Sequence, residues 1–234
     1  MGCHRLVGML ALDNPVYSSL ETGHAHLALS HGAAKRYPAE VAPFAGLREV
    51  SGAAFADLEV LVAPGEIVAL VTAAAVELPE GWELVRGRFI DQMVCEHAPA
   101  PADGAPPPLL ELGDADVPEM LALTELTQPG PFNPRTHDLG RYIGIRVDGR
   151  LAAMAGERMR PEGCTEISAV CTHPDFGGRG YARALMRVLM DDAFAAGRRP
   201  MLHVKTENGA KRLYERLGFS VRHAMALTII SRSR

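Results

Sequence analysis

Apolar positions in the second half of the chain fall into two periods. Residues 142–147 and 151–155 are strand-length apolar runs on either side of Asp148-Gly149, a dipeptide suited to the positive φ of a tight hairpin turn. Residues 109–112, 166–172, 201–204 and 225–230 have the same strand-like composition. Between them the period changes. Ala182, Leu185, Met186, Leu189 and Ala193 make one helical stripe, which Gly197 ends. Ala210, Leu213, Tyr214 and Leu217 stand at i, i+3, i+4 and i+7, with Asn208 as a candidate N-cap and Gly218 as a stop. Residues 114–126 predict an earlier helix, broken by Gln128-Pro129-Gly130-Pro131. The order is a strand, a helix with room for a second, three strands, a helix, a strand, a helix and a strand.

The first half reads as α/β with weaker signals. Asn14-Pro15 suits a helix start, running toward Thr22. Residues 58–62 and 67–72 flank Pro64-Gly65 and predict a hairpin, and 82–85 and 89–95 predict two further strands. No glycine-rich loop precedes a helix here. The proline- and alanine-rich stretch 98–108 disfavours helix and central strand and reads as a spacer. The expected organisation is therefore a smaller α/β domain over 1–97, a linker over 98–108 and a second domain over 109–234. The first could be a degenerate copy of the second, although no sequence repeat is visible.

Composition narrows the function. A net charge of −4 leaves no broad basic footprint for nucleic acid or anionic membrane. Cys3, Cys95, Cys164 and Cys171 show no metal or disulfide spacing. The apolar run from Leu6 to Leu12 meets Asp13-Asn14-Pro15 without a cleavage site, and no run reaches membrane-spanning length. Met1-Gly2-Cys3 lacks the Ser or Thr of a myristoylation signal at position 6. The expectation is a reduced, cytoplasmic protein. His24 and His26 could share a strand face, with His31 nearby, but no third ligand is compelling, so no metal is expected.

The chemistry concentrates in Gly177-Gly178-Arg179-Gly180-Tyr181-Ala182-Arg183, which follows a β-branched strand and opens the helix at 181. Glycines let backbone approach a ligand closely, and a helix N-terminus offers unpaired N–H groups and the positive dipole end. This is the make-up of a phosphate site, with Arg179 and Arg183 adding charge. The Lys-Ser/Thr of a P-loop is missing, and the glycine order does not fit a dinucleotide fingerprint.

The loop resembles the cofactor loop of the GNAT acyl-CoA transferase superfamily, usually (Gln/Arg)-x-x-Gly-x-(Gly/Ala). Here Gly177 stands where Gln or Arg is usual. Asn208-Gly209-Ala210-Lys211-Arg212-Leu213-Tyr214-Glu215-Arg216-Leu217-Gly218-Phe219 resembles the same superfamily's closing Asn-x-x-Ala-x-x-x-Tyr-Glu-x-x-Gly-Phe pattern, one residue short between Asn208 and Ala210. The resemblance covers roughly 108–234. The wording Pro129-Gly130-Pro131-Phe132, 153–158 and 171–174 looks most like the glycine N-acyltransferase-related branch.

The resemblance implies a mixed, largely antiparallel sheet flanked by helices, and transfer of an acetyl group from acetyl-CoA to the primary amine of a small molecule or amino acid. Val170, Cys171, Thr172, Gly178, Arg179, Gly180, Tyr181, Ala182, Arg183 and Asn208 would bind the cofactor, which is the acyl donor. Backbone N–H groups around 170–172 would stabilise the oxyanion. Tyr214 would donate a proton to the departing thiolate. Glu166, 11 residues before Gly177, is the expected general base, with His203 on the neighbouring strand as its rival and, as a third alternative, no base at all and an amine of low pKa that arrives neutral. Strand alternation would place Glu166, Ser168, Val170 and Thr172 on one face. The region of Phe132, Asn133, Arg135 and Thr136 would shape the acceptor pocket, with Arg135 available to clamp a carboxylate. A homodimer is compatible with this reading. The rivals are a non-catalytic acyl-CoA sensor and a protein N-acetyltransferase.

Overall fold

A computed structural model describes residues 11–99 and 107–234; the first ten residues, with Cys3 and most of the apolar run from Leu6, and much of the proline-rich stretch lie outside it. The architecture is mixed α/β. Helix α1 (Pro15–Glu21) precedes a small sheet of β1 (Leu29–His31), β2 (Ala34–Arg36) and β3 (Ala45–Leu47). Then come α2 (Gly52–Leu61), β4 (Ile67–Thr72), β5 (Trp82–Cys95), β6 (Leu110–Glu111), α3 (Val117–Thr127), β7 (Tyr142–Val147), β8 (Arg150–Glu157), β9 (Cys164–Thr172), α4 (Tyr181–Ala195), β10 (Arg199–Lys205), α5 (Lys211–Arg216) and β11 (Phe219–Arg232).

Eight strands form one sheet in the order β4-β11-β5-β10-β9-β8-β7-β6. Only β9 and β10 run parallel. The sheet does not divide at the proline-rich stretch. β5, from before it, is inserted between β10 and β11, and β4 adds to the outer edge of β11. The cores are shared as well: Met93 and Cys95 pack with Ile143, Leu189, Tyr214 and Phe219, and Ile230 packs with Phe55 and Trp82. The expected division at 98–108 is thus not a boundary in the sheet. What the pattern could not show is that the strands of the first part find their partners some 150 residues later.

Two local expectations also change. Residues 58–61 are the end of helix α2, not a hairpin strand. The Ser51 side chain accepts from the Ala54 amide, and Ala54, Phe55 and Leu58 bury one face. Runs 82–85 and 89–95 are one continuous 14-residue strand through Gly87, paired along its length with β11. The hairpin at Asp148-Gly149, the helix breaks at Gln128, Gly197 and Gly218, and the strand entering the glycine loop stand where expected; Gln128, Asp148, Gly149, Gly197 and Gly218 all have positive φ.

His24 does not contact His31 in a metal-like cluster, and the described residues contain no group of three such ligands. It is 1 % exposed, with Nδ1 bonded to the Tyr37 hydroxyl. Burial, aided by the charge of Arg160, pulls its pKa down to about 4. The unfolded chain therefore binds the extra proton between about pH 6.5 and pH 4, and stability falls as the pH drops through that window. The contribution is of order 3 kcal/mol, since each tenfold change in proton affinity is worth about 1.4 kcal/mol. Denaturant unfolding at pH 7 and pH 5 should show the loss in the parent and a much smaller one in His24→Gln.

Candidate active site

The parallel pair β9 and β10 carries the central feature. Pairing covers Arg199, Pro200 and Met201 opposite Cys164, Thr165 and Glu166, and then stops. Beyond it the facing edges of 167–172 and 202–205 are not paired with one another. On its other edge β9 pairs with β8, and the register slips between Met154 and Gly156. Met154 faces Cys171 while Gly156 faces Ser168, so β9 carries an extra residue at Ala169–Val170. Ala169 has φ +52°. A β-bulge with a left-handed residue bends the strand and turns it away from its neighbour.

The bulge also changes which side chains share a face. Opposed residues of an antiparallel pair lie on the same side. Glu166 and Ser168 therefore continue in Cys171, and not in Val170 and Thr172 as simple alternation predicts. Val170 packs toward the core beneath α4, whereas Cys171 packs with Tyr142, Met154 and Met120.

A cavity of about 450 Å³ fills the divergence. Its walls are 167–172 of β9, 202–205 of β10, the loop 127–131 after α3, and Asn208, Ala210 and Tyr214. Beyond β10 it continues over Ile90 and Arg88 of β5, Val71 of β4, Leu227 of β11, and Phe44. Tyr214 is buried, packs edge-on against Phe219, and its hydroxyl has no hydrogen-bond partner among the described residues. Burial raises its pKa, so it holds its proton at neutral pH. Burial likewise pushes the Cys171 thiol up to about 11, which makes it a poor nucleophile.

From Thr172 the chain passes through a 3₁₀ turn (Pro174–Phe176) into the glycine loop. Gly178 and Gly180 have φ of +75° and +79°. Gly180 is the N-cap of the 15-residue helix α4 and offers no side-chain cap, so the amides of its first turn stay open. A Cβ at either position would meet nothing within 4 Å, so the space above this backbone is empty. Phe176 is flanked by two guanidinium groups, Arg150 at 5.2 Å and Arg179 at 5.3 Å. Arg183 is exposed on the first turn of α4. Asn208 accepts from the Ala210 amide through Oδ1 at 2.9 Å, ahead of α5, in place of the N-cap position expected for it.

The geometry does not suit the general base expected of Glu166. The side chain is fully buried. Arg158 donates to it through Nε at 2.9 Å and Nη2 at 2.6 Å, and His203 Nδ1 lies 2.7 Å from Oε1. Burial alone would raise its pKa, but Arg158 and His203 outweigh it and hold the carboxyl well below the usual range. Such a carboxylate positions other groups and is a weak proton acceptor. His203 lines the cavity, yet its second nitrogen is also taken: Nε2 lies 3.1 Å from Gln92 Nε2. Arg222 donates to Gln92 Oε1 at 2.9 Å, and Gln92 Nε2 also donates to the Leu12 carbonyl, which fixes the amide. That pattern assigns His203 an Nδ1–H toward Glu166 and an Nε2 that accepts from Gln92.

Arg135 is likewise employed elsewhere. It pairs with Asp138 at 2.6 Å and Glu40 at 3.2 Å. Asn133 and Thr136 donate to the carbonyls of Ala39 and Val41, and Phe132 packs on Tyr142. This segment holds the 39–41 loop of the first part, and the cavity wall comes from 127–131 instead. The residues missed by sequence reading are those of the first part: Phe44, Val71, Arg88 and Ile90. Nothing local marks them, because they reach the cavity through long-range pairing: β4 with β11, β5 with β10 and β11, and Phe44 bridged to Ala69 of β4.

The sheet order, the diverging parallel pair and the glycine-capped helix together define a class of mixed α/β fold, and comparison with known proteins gives that class a name. A family model described as FR47-like protein matches residues 142–227. N-alpha-acetyltransferase RimI of Mycobacterium tuberculosis (strain ATCC 25618 / H37Rv) is 36% identical over 100 residues, a match spanning 39% of this chain and 60% of that protein. A GNAT-family structure from Novosphingobium aromaticivorans DSM 12444 is 39% identical, with a TM-score of 0.86 over 96% of this chain and 99% of that one. A GCN5-related N-acetyltransferase from Kribbella flavida shares the fold at 16% identity, with a TM-score of 0.65 over 97% of this chain and 96% of its own. The chain belongs to the GNAT family of acetyltransferases.

Proposed function

We propose that this protein transfers an acetyl group from acetyl-CoA to the primary amine of a small molecule by direct attack. The observation that carries the reading is the divergence of β9 and β10 beside the uncapped N-terminus of α4. The opening exposes strand backbone to an amide-bearing chain such as pantetheine, and the helix end suits its pyrophosphate. Gly178, Arg179, Gly180, Tyr181, Ala182 and Arg183 would hold the pyrophosphate. Val170, Cys171 and Thr172 would pair with the pantetheine arm, and Asn208 would border it.

In the step proposed, the amine nitrogen attacks the thioester carbon. The C–N bond forms, the oxyanion accepts N–H bonds from the bulged strand, and the C–S bond breaks. The thiolate takes its proton from Tyr214, and the amine's proton leaves to solvent. Neither Glu166 nor His203 presents a free lone pair to the acceptor, so the amine arrives neutral and the rate should follow the acceptor's own titration. Tyr214→Phe should lower kcat about 10- to 100-fold and leave the Kd for acetyl-CoA unchanged. Steady-state thiol release with parallel calorimetry checks this; equal kcat would reduce Tyr214 to a packing residue.

The resemblance of Pro129-Gly130-Pro131-Phe132 and the segments 153–158 and 171–174 to the glycine N-acyltransferase-related branch supports a small acceptor. A peptide amine is the second reading, favoured by the match to an N-alpha-acetyltransferase. The free thiols of Cys95, Cys164 and Cys171 support a reducing compartment, the cytoplasm. Among the described residues no helix is long and apolar enough to cross a membrane.

A further inference from the structure

We infer that the acceptor carries a carboxylate as well as its amine, and that Arg88 reads it. This rests on the transfer reading above and specifies its substrate. The part of the cavity beyond β10 is walled by apolar side chains, among them Phe44, Val71, Ile90 and Leu227. No aspartate or glutamate lines it, which is unfavourable for a polyamine or any acceptor with a second positive charge. The cations differ in how they are engaged. Arg158 is neutralised by Glu166 and its guanidinium sits over the Phe44 ring at 5.1 Å. Arg88 has no hydrogen bond or ion pair among the described residues, although it is half-buried. Lys205, likewise without an ion-pair partner, stands opposite Ile90 on the same face.

The register sets the scale. Val204, in the divergence, pairs with Asp91, and Arg88 lies three residues along β5, opposite Leu227. That is about 10 Å along the strand, and an arginine side chain can reach back over several of those ångströms. A planar guanidinium that lines an apolar cavity and lacks a protein carboxylate is suited to bind one from a ligand bidentately. The matching acceptor has an amine at one end, an apolar middle and a carboxylate at the other. A free amino acid of extended length and the acidic side chain of an N-terminal residue both offer it.

The test uses straight-chain ω-amino acids of two to eight carbons, their amides and the matching diamines, with the whole protein and acetyl-CoA. A second arm uses a tetrapeptide beginning with glutamate and its glutamine counterpart. The expected result is that acids exceed amides in kcat/KM by about 10- to 100-fold, with an optimum chain length, and that diamines are poorest. In Arg88→Ala the acid-to-amide ratio should collapse toward one, in Arg88→Lys it should fall partway, and in Arg88→Glu it should invert. A preference confined to the free acids assigns the carboxylate to a small molecule, and one confined to the peptides assigns it to a side chain. Equal use of acid and amide by the parent, or an unchanged ratio in Arg88→Ala, overturns the inference. Should no acceptor turn over, calorimetry of the N-acetylated acids and amides against the CoA-loaded protein reads the same ratio. Discrimination lost in Arg88→Ala would then uphold Arg88 while refuting transfer, and no discrimination would refute both.

Discussion

Replacing Gly180 with valine is expected to remove measurable acetyl-CoA binding, a loss of at least about 100-fold, while the protein stays folded. Gly180 holds φ +79° at the N-cap of α4. A β-branched residue is a genuine outlier in that region, so the backbone would shift away from it at a cost on the order of 1–3 kcal/mol. That shift turns the open amides of the first turn, and the new isopropyl group fills the space proposed for the pyrophosphate. Nothing in the protein lies within 4 Å of the added Cβ, so the fold itself has no clash to resolve. Calorimetry with acetyl-CoA, alongside thermal unfolding, separates the two effects. Unchanged affinity would place the pyrophosphate elsewhere. Gly180→Ala should lie between parent and valine.

The second large effect concerns stability. Glu166→Gln should cost about 3–5 kcal/mol, because it leaves the buried guanidinium of Arg158 without its counter-charge and weakens the His203 contact. The double replacement Glu166→Leu with Arg158→Met should recover much of the loss, since it removes both charges and fills the space with apolar groups. Denaturant midpoints measure both. The sign of the pH dependence follows from the depressed pKa. The stabilisation from Glu166 is complete above the ordinary glutamate range and is lost as the pH falls toward its native value. A loss below about 1 kcal/mol in Glu166→Gln would mean that the pair is solvated and that Glu166 is free to act as a base.

Much of the second half of the fold could be read from the chain because its signals are local. The Asp148-Gly149 turn, the stop at Gly218 and the glycine loop are each fixed by residues that need a particular φ. The place of Tyr214 at the cavity was legible because a helical stripe and a motif agree on it. The ion-pair partners of Glu166 and Arg135 were not. Alternation along β9 carries no mark of the bulge at Ala169, since alanine does not prefer φ +52° and the register slip shows only in the pairing with β8. Whether a carboxylate is free or paired depends on residues outside its own strand, here Arg158 just after β8 and His203 in β10. The cavity wall beyond β10 was hidden for the same reason. The sequence shows β4 and β5 as apolar runs, and only long-range pairing with β10 and β11 brings Arg88 and Ile90 to the cavity.

The central claim is transfer through the diverged strands, and acceptor-dependent release of the coenzyme thiol tests it most directly. The parent protein, acetyl-CoA and the ω-amino acid and peptide panel should give thiol release that depends on acceptor, with an equal amount of N-acetylated product by mass spectrometry. The rate should rise with pH as each acceptor's own amine loses its proton. Tight binding of acetyl-CoA with no acceptor-dependent thiol release across the panel would contradict the account and leave a protein that holds the coenzyme without using it.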